Sequence, residues 1–531
     1  MHSNQTEEIR KELSLEKNLD IPIDSIIEQL KIFENGVPWI KLYKPCNIGN
    51  GVKVFNDFEK DEYIGRFQSA QDEGRVIKFV PASGAATRMF QKLLAVTANP
   101  DNSDYKKISE KAARGDSECK ATLEFFNNIS HFAFYEDLKN TLIKDGRDPE
   151  ELINQKNISE LINYTCNSDG LNYAHLPKGS ILFHSYSDGS RTAFEEHLVE
   201  AINYASGKDK TVKIHFTISP EHEAEIKNLF KEIYSKYNRL GWIFDVSFSF
   251  QSSETNTVSA TVDNKIFRDA DGKILFRPGG HGALLNNLNE LNEEIVLIKN
   301  IDNIVPDQIK TETYRYKKII GGYLIYLQSK IFELLNKLDS EDVSETVIKE
   351  AVALIKTEFE LDLSAKLNTK SSDEWKKYFF DLLNRPIRVC GMVRREGHPG
   401  GSPFWIEDLN GEISKQIVES TQVNLSDKKQ ASIFDEATHF NPVDLACGIK
   451  DYKGRLFELK KFVNPDTGLI TNKSKGGKEL KALELPGLWN GGMYYWLTVF
   501  VEVPKITFNP VKEVNDLLKP EHQPAENKAN N

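Results

Sequence analysis

The apolar positions of this chain follow two rhythms. Short β-branched and aromatic runs alternate with stretches in which apolar residues recur every third or fourth position. Arg75-Val76-Ile77-Lys78-Phe79-Val80 predicts a strand, and Met89, Phe90, Leu93 and Leu94 predict one face of a helix behind it. The alternation resumes with a strand at Ile181-Leu182-Phe183 and a helix from Thr192 to Ala205. A strand from Thr211 to Ile218, a helix from Glu221 to Tyr237 and a strand from Phe244 to Phe250 follow. A short strand at Ile274-Leu275-Phe276, a helix from Gly282 to Leu291 and an apolar strand from Ile295 to Lys299 complete the series. Strands separated by helices in this way predict right-handed βαβ units. The expected fold is α/β, with a Rossmann-like, mostly parallel mixed sheet.

The pattern changes on either side of this core. Residues 1–70 predict an N-terminal helical extension, and residues 71–305 the α/β domain, with a charged helical insertion at about 100–170. Residues 306–386 are helical, where Ile320, Leu324, Leu327, Ile331, Leu334 and Leu338 form a stripe that packs on a core. Residues 387–518 are rich in Gly, Pro and aromatic residues and read as an α+β region completing the core. The tail at 519–531 is polar and is expected to be disordered.

Composition narrows the function classes. The chain has 531 residues, too many for one small domain. No apolar run of about 20 residues exists, so no membrane partner is expected. The first residues are charged and offer no apolar signal segment. Cys46, Cys119, Cys166, Cys390 and Cys447 are scattered without a C-x-x-C pair, which fits a reducing cytoplasm. With 68 basic and 79 acidic residues the net charge is −11, a poor partner for nucleic acid.

Four segments can carry chemistry. Pro81-Ala82-Ser83-Gly84-Ala85-Ala86-Thr87-Arg88 lies between a strand and a helix, where open α/β sheets bind ligands. Its small residues let a phosphate approach the backbone, the helix start offers free N–H groups, and Arg88 adds a cation. An ordinary turn with a surface arginine is the alternative. Leu176-Pro177-Lys178-Gly179 is a plain turn or a phosphate contact through Lys178. Arg277-Pro278-Gly279-Gly280-His281-Gly282 opens a helix, and its glycines leave a bare backbone surface against which a base or ribose can lie. His281, flanked by glycines, has no local side chain to bury it. In Ile295-Val296-Leu297-Ile298-Lys299-Asn300-Ile301-Asp302-Asn303, an apolar strand ends in a carboxylate placed either to hold Mg²⁺ or to close an Asx turn.

Weaker candidates lie further on. The basic loop Lys473 to Lys478 reads as a mobile surface loop or a phosphate-gripping lid. Arg394, Arg395 and His398 can line a pocket, and Thr438 to Asp444 and Leu485 to Met493 mix amide and aromatic groups that suit sugar hydroxyls or a stiff loop.

In order and placement these motifs resemble the nucleotidyltransferases that make nucleotide sugars, in particular the UDP-sugar pyrophosphorylases. Those enzymes carry a small-residue loop ending in Gly-Thr-Arg, then Pro-Lys-Gly, a later Gln, a glycine-rich turn and Asn-x-Asp-Asn. The counterparts here are Ala86-Thr87-Arg88, Pro177-Lys178-Gly179, Gln251, Pro278 to Gly282 and Asn300-Ile301-Asp302-Asn303. The likeness covers residues 75–305, and the whole chain resembles a bacterial family called domain of unknown function 4301.

The resemblance implies the nucleotide-diphospho-sugar transferase type of fold and a transfer from a nucleoside triphosphate, UTP by preference, to a sugar 1-phosphate. Arg88 and Lys178 would be the catalytic cations. Ala82, Ser83, Gly84, Ala85, Ala86 and Thr87 would hold the triphosphate, and Gln251, Gly279, Gly280, His281 and Gly282 the base. Asp302 would hold Mg²⁺, with Asp444 as the candidate second ligand, and Asn303, Arg394, Asn441 and Asn490 are the sugar candidates. Two departures stand out: Ser83 and Ala86 occupy positions usually held by glycine, where a Cβ bars a left-handed backbone. A glycosyltransferase of the same fold and a non-catalytic nucleotide sensor remain the alternatives.

Overall fold

The computed structural model describes residues 3–16, 19–102, 104–340, 344–363, 371–397, 400–408 and 410–524. Ten strands form the central sheet. In chain order they are β1 (Asn47–Ile48), β2 (Gly51–Lys53), β3 (Val76–Pro81), β4 (Thr211–Ile218), β5 (Ile243–Phe250), β6 (Ile295–Lys299), β7 (Ile387–Arg394), β8 (His439–Phe440), β9 (Asp444–Gly448) and β10 (Leu497–Glu502). Their order across the sheet is β1-β2-β10-β7-β9-β6-β3-β4-β5, with β8 paired beside β7. The sheet is parallel except at β9, which runs antiparallel to β6 and β7, and at β8, antiparallel to β7. The fold is therefore α/β with a mostly parallel mixed sheet, as its residues predict. The carboxyl ends of β3, β4, β5, β6, β7 and β10 meet at one edge.

Strand alternation decides which side chains face which layer. Val76, Val80, Ile295 and Leu297 enter one core layer, beside α1 (Asp57–Asp72), α3 (Ala193–Tyr204), α4 (Glu223–Asn238) and α6 (Lys310–Leu338). Ile77, Phe79, Val296 and Ile298 enter the opposite layer, beside α5 (Leu284–Asn289) and Trp405. Helix α2 (Gln91–Ala98) follows the loop after β3 and packs in the first layer. All five residues of β6 are buried, as its unbroken apolar run requires. The predicted stripe from Ile320 to Leu338 is the buried face of α6. Gly322 lets α6 lie against α1, because a Cβ there would stand 1.8 Å from the Tyr63 carbonyl oxygen.

The peripheral segments are more mixed than their composition suggests. Residues 1–70 contribute β1, β2 and the strand Lys41–Pro45 besides their helices. The 100–170 insertion holds five α-helices between Tyr105 and Cys166, and side chains of Asp104, Asp116, Asp148 and Asn157 cap four of them. The expected strand at Ile181 lies outside the central sheet, as Leu182–Tyr186 paired with Gly189–Thr192. Lys473 to Lys478 is the tip of a hairpin, Leu469–Lys475 with Lys478–Glu484, turning on Gly476 and Gly477 at positive φ. Residues 519–524 pack, with His522 buried; 525–531 and His398 lie outside the described residues. No described helix is long and apolar enough to cross a membrane.

Candidate functional site

The loop after β3 sits at the carboxyl edge of the sheet and is held from two sides. Ala82 N–H donates to the Thr217 carbonyl of β4 at 2.9 Å, and Ser219 Oγ donates to the Ser83 carbonyl at 2.9 Å. On the other side Ala85 bridges to Pro177: Ala86 N–H donates to the Leu176 carbonyl at 2.9 Å, and Lys178 N–H to the Gly84 carbonyl at 3.2 Å. Gln251, one residue beyond β5, donates from Nε2 to Ser83 Oγ at 3.3 Å. Among the described residues the amides of Gly84, Ala85 and Thr87 donate no hydrogen bond, and all three residues are exposed. Arg88 is likewise exposed, and among the described residues its side chain has no ion-pair or hydrogen-bond partner. A Cβ at Gly84 would meet nothing within 4 Å. The loop thus presents open space, unspent donors and one cation, the features of an anion-binding strand–helix junction.

The objection raised by Ser83 and Ala86 falls away. Neither residue has positive φ, so the loop needs no left-handed glycine at either place. The Ala86 methyl group points into the core and is fully buried.

Lys178 comes to the same edge. Gly179 fixes its approach, since a Cβ there would stand 2.5 Å from the Phe194 ring. Lys178 Nζ lies 3.2 Å from Asp302 Oδ2 and donates to the Val511 carbonyl at 3.0 Å. Arg88, Lys178 and Asp302 come from three distant stretches of chain, and all stand on the edge that β3 and β6 share. Asp302 remains partly exposed. One carboxylate fits Mg²⁺ of the kind that completes its shell with phosphate oxygens and water. Among the described residues no three His, Cys, Asp or Glu side chains cluster to hold a metal.

Asp444 does not provide the second carboxylate. Register pairs it with Lys299 on β6, and its side chain is buried against the Lys317 ammonium of α6. It belongs to a charged layer beneath the edge, where Lys78 and Lys299 both bind Glu200, at 2.9 and 2.7 Å. Burial alone would raise the Glu200 pKa; the two ammonium groups overcome it and hold the carboxyl well below its usual range.

Two sugar candidates, Asn303 and Asn441, are corrected likewise. Asn303 is buried, with Nδ2 donating to the Thr507 carbonyl and Oδ1 accepting from Asn509 N–H at 3.0 Å. Asn441 is buried, donating to the Gly391 carbonyl and accepting from Val443 N–H at 3.1 Å. Arg394 is exposed and bound to Glu502 at the end of β10. The glycines of 279–282 are not bare either. A Cβ on Gly279 or Gly282 would stand 2.4 Å from the carbonyl of Thr255 or Pro486, so these glycines admit a neighbouring segment. His281 finds its neighbours from that segment. Its ring stacks on Trp489 at 4.3 Å, and Nδ1 accepts from Leu488 N–H at 3.1 Å, which leaves the proton on Nε2, 3.9 Å from Glu419. Asn490 donates to Glu419 at 2.8 Å, and its buried Oδ1 has no hydrogen-bond partner among the described residues.

Sequence reasoning missed the segment that crosses this edge. Residues 505–523 run over the end of β6, where Val511 N–H donates to the Asp302 carbonyl, then meet Met89 through Val514 N–H. Lys92 pairs with Glu513 at 2.7 Å, and His522 stacks on His184. Only the polar residues around Asn509 and Pro510 mark it in the sequence.

Residues 9–523 match the family model described as Domain of unknown function (DUF4301). The chain belongs to this family. No curated protein matches it. Among solved structures, a UDP-glucose pyrophosphorylase from Leishmania major shares 12% identity, covering 98% of this chain and 82% of that one at a TM-score of 0.44. A uridine diphosphate N-acetylglucosamine pyrophosphorylase from Trypanosoma brucei, in complex with inhibitor, shares 14% over 93% and 74% at 0.45. A UDP-glucose phosphorylase from Trypanosoma brucei shares 12% over 98% and 81% at 0.43.

Proposed function

We propose that this chain is a Mg²⁺-dependent nucleotidyltransferase that joins a nucleoside triphosphate, UTP by preference, to a sugar 1-phosphate. The observation that carries the reading is convergence: Lys178 packs on the Ser83–Arg88 loop and reaches Asp302 at 3.2 Å, at the carboxyl ends of β3 and β6.

In this reading the free amides of Gly84, Ala85 and Thr87 take phosphate oxygens, and Arg88 neutralises the departing pyrophosphate. Lys178 exchanges Asp302 for phosphate when substrate arrives. An oxygen of the sugar phosphate attacks the α-phosphorus; the bond from that phosphorus to the β-phosphate bridging oxygen breaks, and its electron pair leaves with pyrophosphate. Asp302 is the residue that would hold Mg²⁺, whose contribution is charge neutralisation on the phosphate oxygens. The chain has little covalent work to do; orientation and charge do most of it. His281, Trp489, Asn490 and Glu419 supply a flat stack beside a carboxylate, which suits a base or a sugar.

Calorimetric binding tests the assignment. Arg88→Ala and Lys178→Ala should each weaken triphosphate binding about 10- to 100-fold, the loss of one charge-assisted contact. The parent nucleoside should bind as before. Unchanged triphosphate affinity in both variants would remove the loop from the site.

A further inference from the structure

Asp302 and Asn303 are neighbours in the turn after β6, and they meet different surroundings. The Asp302 carboxylate stays partly exposed beside Lys178, whereas Asn303 is buried. Both ends of the Asn303 amide are engaged by the crossing segment: Nδ2 donates to the Thr507 carbonyl at 3.2 Å, and Oδ1 accepts from Asn509 N–H at 3.0 Å. An amide offers a donor and an acceptor at this length; an aspartate carboxylate accepts alone, and a leucine does neither.

Two residues beyond Asn509, the backbone of Val511 meets both charged residues of the site. Its N–H donates to the Asp302 carbonyl at 3.0 Å, and its carbonyl accepts from Lys178 Nζ, also at 3.0 Å. Lys178 Nζ in turn lies 3.2 Å from Asp302 Oδ2. Further on, Val514 N–H donates to the carbonyl of Met89, the neighbour of Arg88, at 3.0 Å, and Glu513 pairs with Lys92 at 2.7 Å. One short segment therefore touches Lys178, Asp302 and the residue beside Arg88. A lysine ammonium has three N–H donors. Asp302 and Val511 engage two, which leaves one for a phosphate oxygen.

We propose that Asn303 is a positioning residue for Lys178. By fastening the crossing segment at Thr507 and Asn509, it sets the Val511 carbonyl where it tethers the ammonium beside the phosphate loop. The tether stays in place while the ammonium exchanges Asp302 for phosphate. The part played in turnover rests on the nucleotidyltransferase reading; the tether itself does not.

Lysine reactivity in the full chain tests this. Acetylation by a water-soluble active ester, followed by peptide mass spectrometry, reports each lysine separately. Asn303→Leu keeps the size of the side chain and removes both hydrogen bonds. Lys178 should then react about 10-fold faster, the loss of one hydrogen bond to a charged group. Buried Lys78 should stay protected and exposed Lys473 should react equally in both chains, so that unfolding is not mistaken for release. Asn303→Ala removes the amide without apolar bulk and takes over should Asn303→Leu not fold. In the pyrophosphate assay the same variant should lose about 10-fold or more in kcat, the effect of a misplaced charge. Equal Lys178 reactivity in parent and variant, or an undiminished kcat once Lys178 is released, would overturn the proposal. A parent chain that releases no pyrophosphate would remove the nucleotidyltransferase reading instead, and Lys178 reactivity would still decide the tether.

Discussion

Ser83 and Ala86 carry a Cβ in the loop after β3, yet both have negative φ and the Ala86 methyl group fills a core position. Their side chains therefore cost the loop nothing, and they reduce the freedom of the unfolded chain. Ser83→Gly and Ala86→Gly should each destabilise the protein, by roughly 0.5–1 kcal/mol from backbone entropy, with the lost core methyl adding to the Ala86 effect. Urea unfolding reads this; a stability gain in either variant would show that the native loop is strained. Asn303, Asn441 and Asp444 carry the opposite lesson. Their polarity at strand ends suggested ligands, but Asn303 is spent on the Thr507 and Asn509 backbone of the crossing segment, and Asn441 on the Gly391 and Val443 backbone. Asp444 turns inward because its register beside Lys299 presents it to Lys317.

At the scale of elements, β3, β4 and β6 were legible because each is apolar, bounded by turns and followed by a periodic helix. β7, β9 and β10 were not. β10 pairs with β2 and β7, residues far away in sequence, and β9 enters antiparallel between β6 and β7. Such long-range pairing leaves no local period to read. The crossing segment of residues 505–523 escaped for the same reason, since its anchors are single contacts to remote elements. One of them, His522 Nδ1 with His184 Nε2 at 3.0 Å, makes the segment acid-sensitive. Burial, aided by the neighbouring His184, lowers His522 to about 3; burial lowers His215, under α5, to about 4. These folded values lie below the ordinary imidazole value, so the unfolded chain takes up protons first. Stability should therefore hold above about pH 6.5 and fall as pH drops toward about 4, by up to roughly 1.4 kcal/mol per pH unit for each such histidine. Denaturation midpoints measured across that range check this, and His522→Phe should flatten the slope. A midpoint indifferent to pH would mean that these rings are not buried neutral.

At the scale of the whole molecule, one sheet edge gathers the phosphate-loop candidates and the crossing segment, and the opposite edge opens beside Trp405 and Trp496. The strand–loop–helix junctions at the first edge are local and so show in the sequence; the opposite edge is built where the strands around Trp405, Lys415 and Trp496 come together from separate stretches. The charged layer of Lys78, Lys299, Lys317, Glu200 and Asp444 lies beneath the first edge and holds the ends of β3 and β6 in place. The central claim is that this edge transfers a nucleotidyl group. Its most direct test is pyrophosphate release, measured with Mg²⁺ across a matrix of nucleoside triphosphates and sugar 1-phosphates, with Asp302→Ala alongside. The expected result is pyrophosphate only when both substrates are present, strongest with UTP, and abolished in a folded Asp302→Ala variant. Release of nucleoside diphosphate from a nucleotide sugar with no pyrophosphate, or full activity in Asp302→Ala, would contradict it.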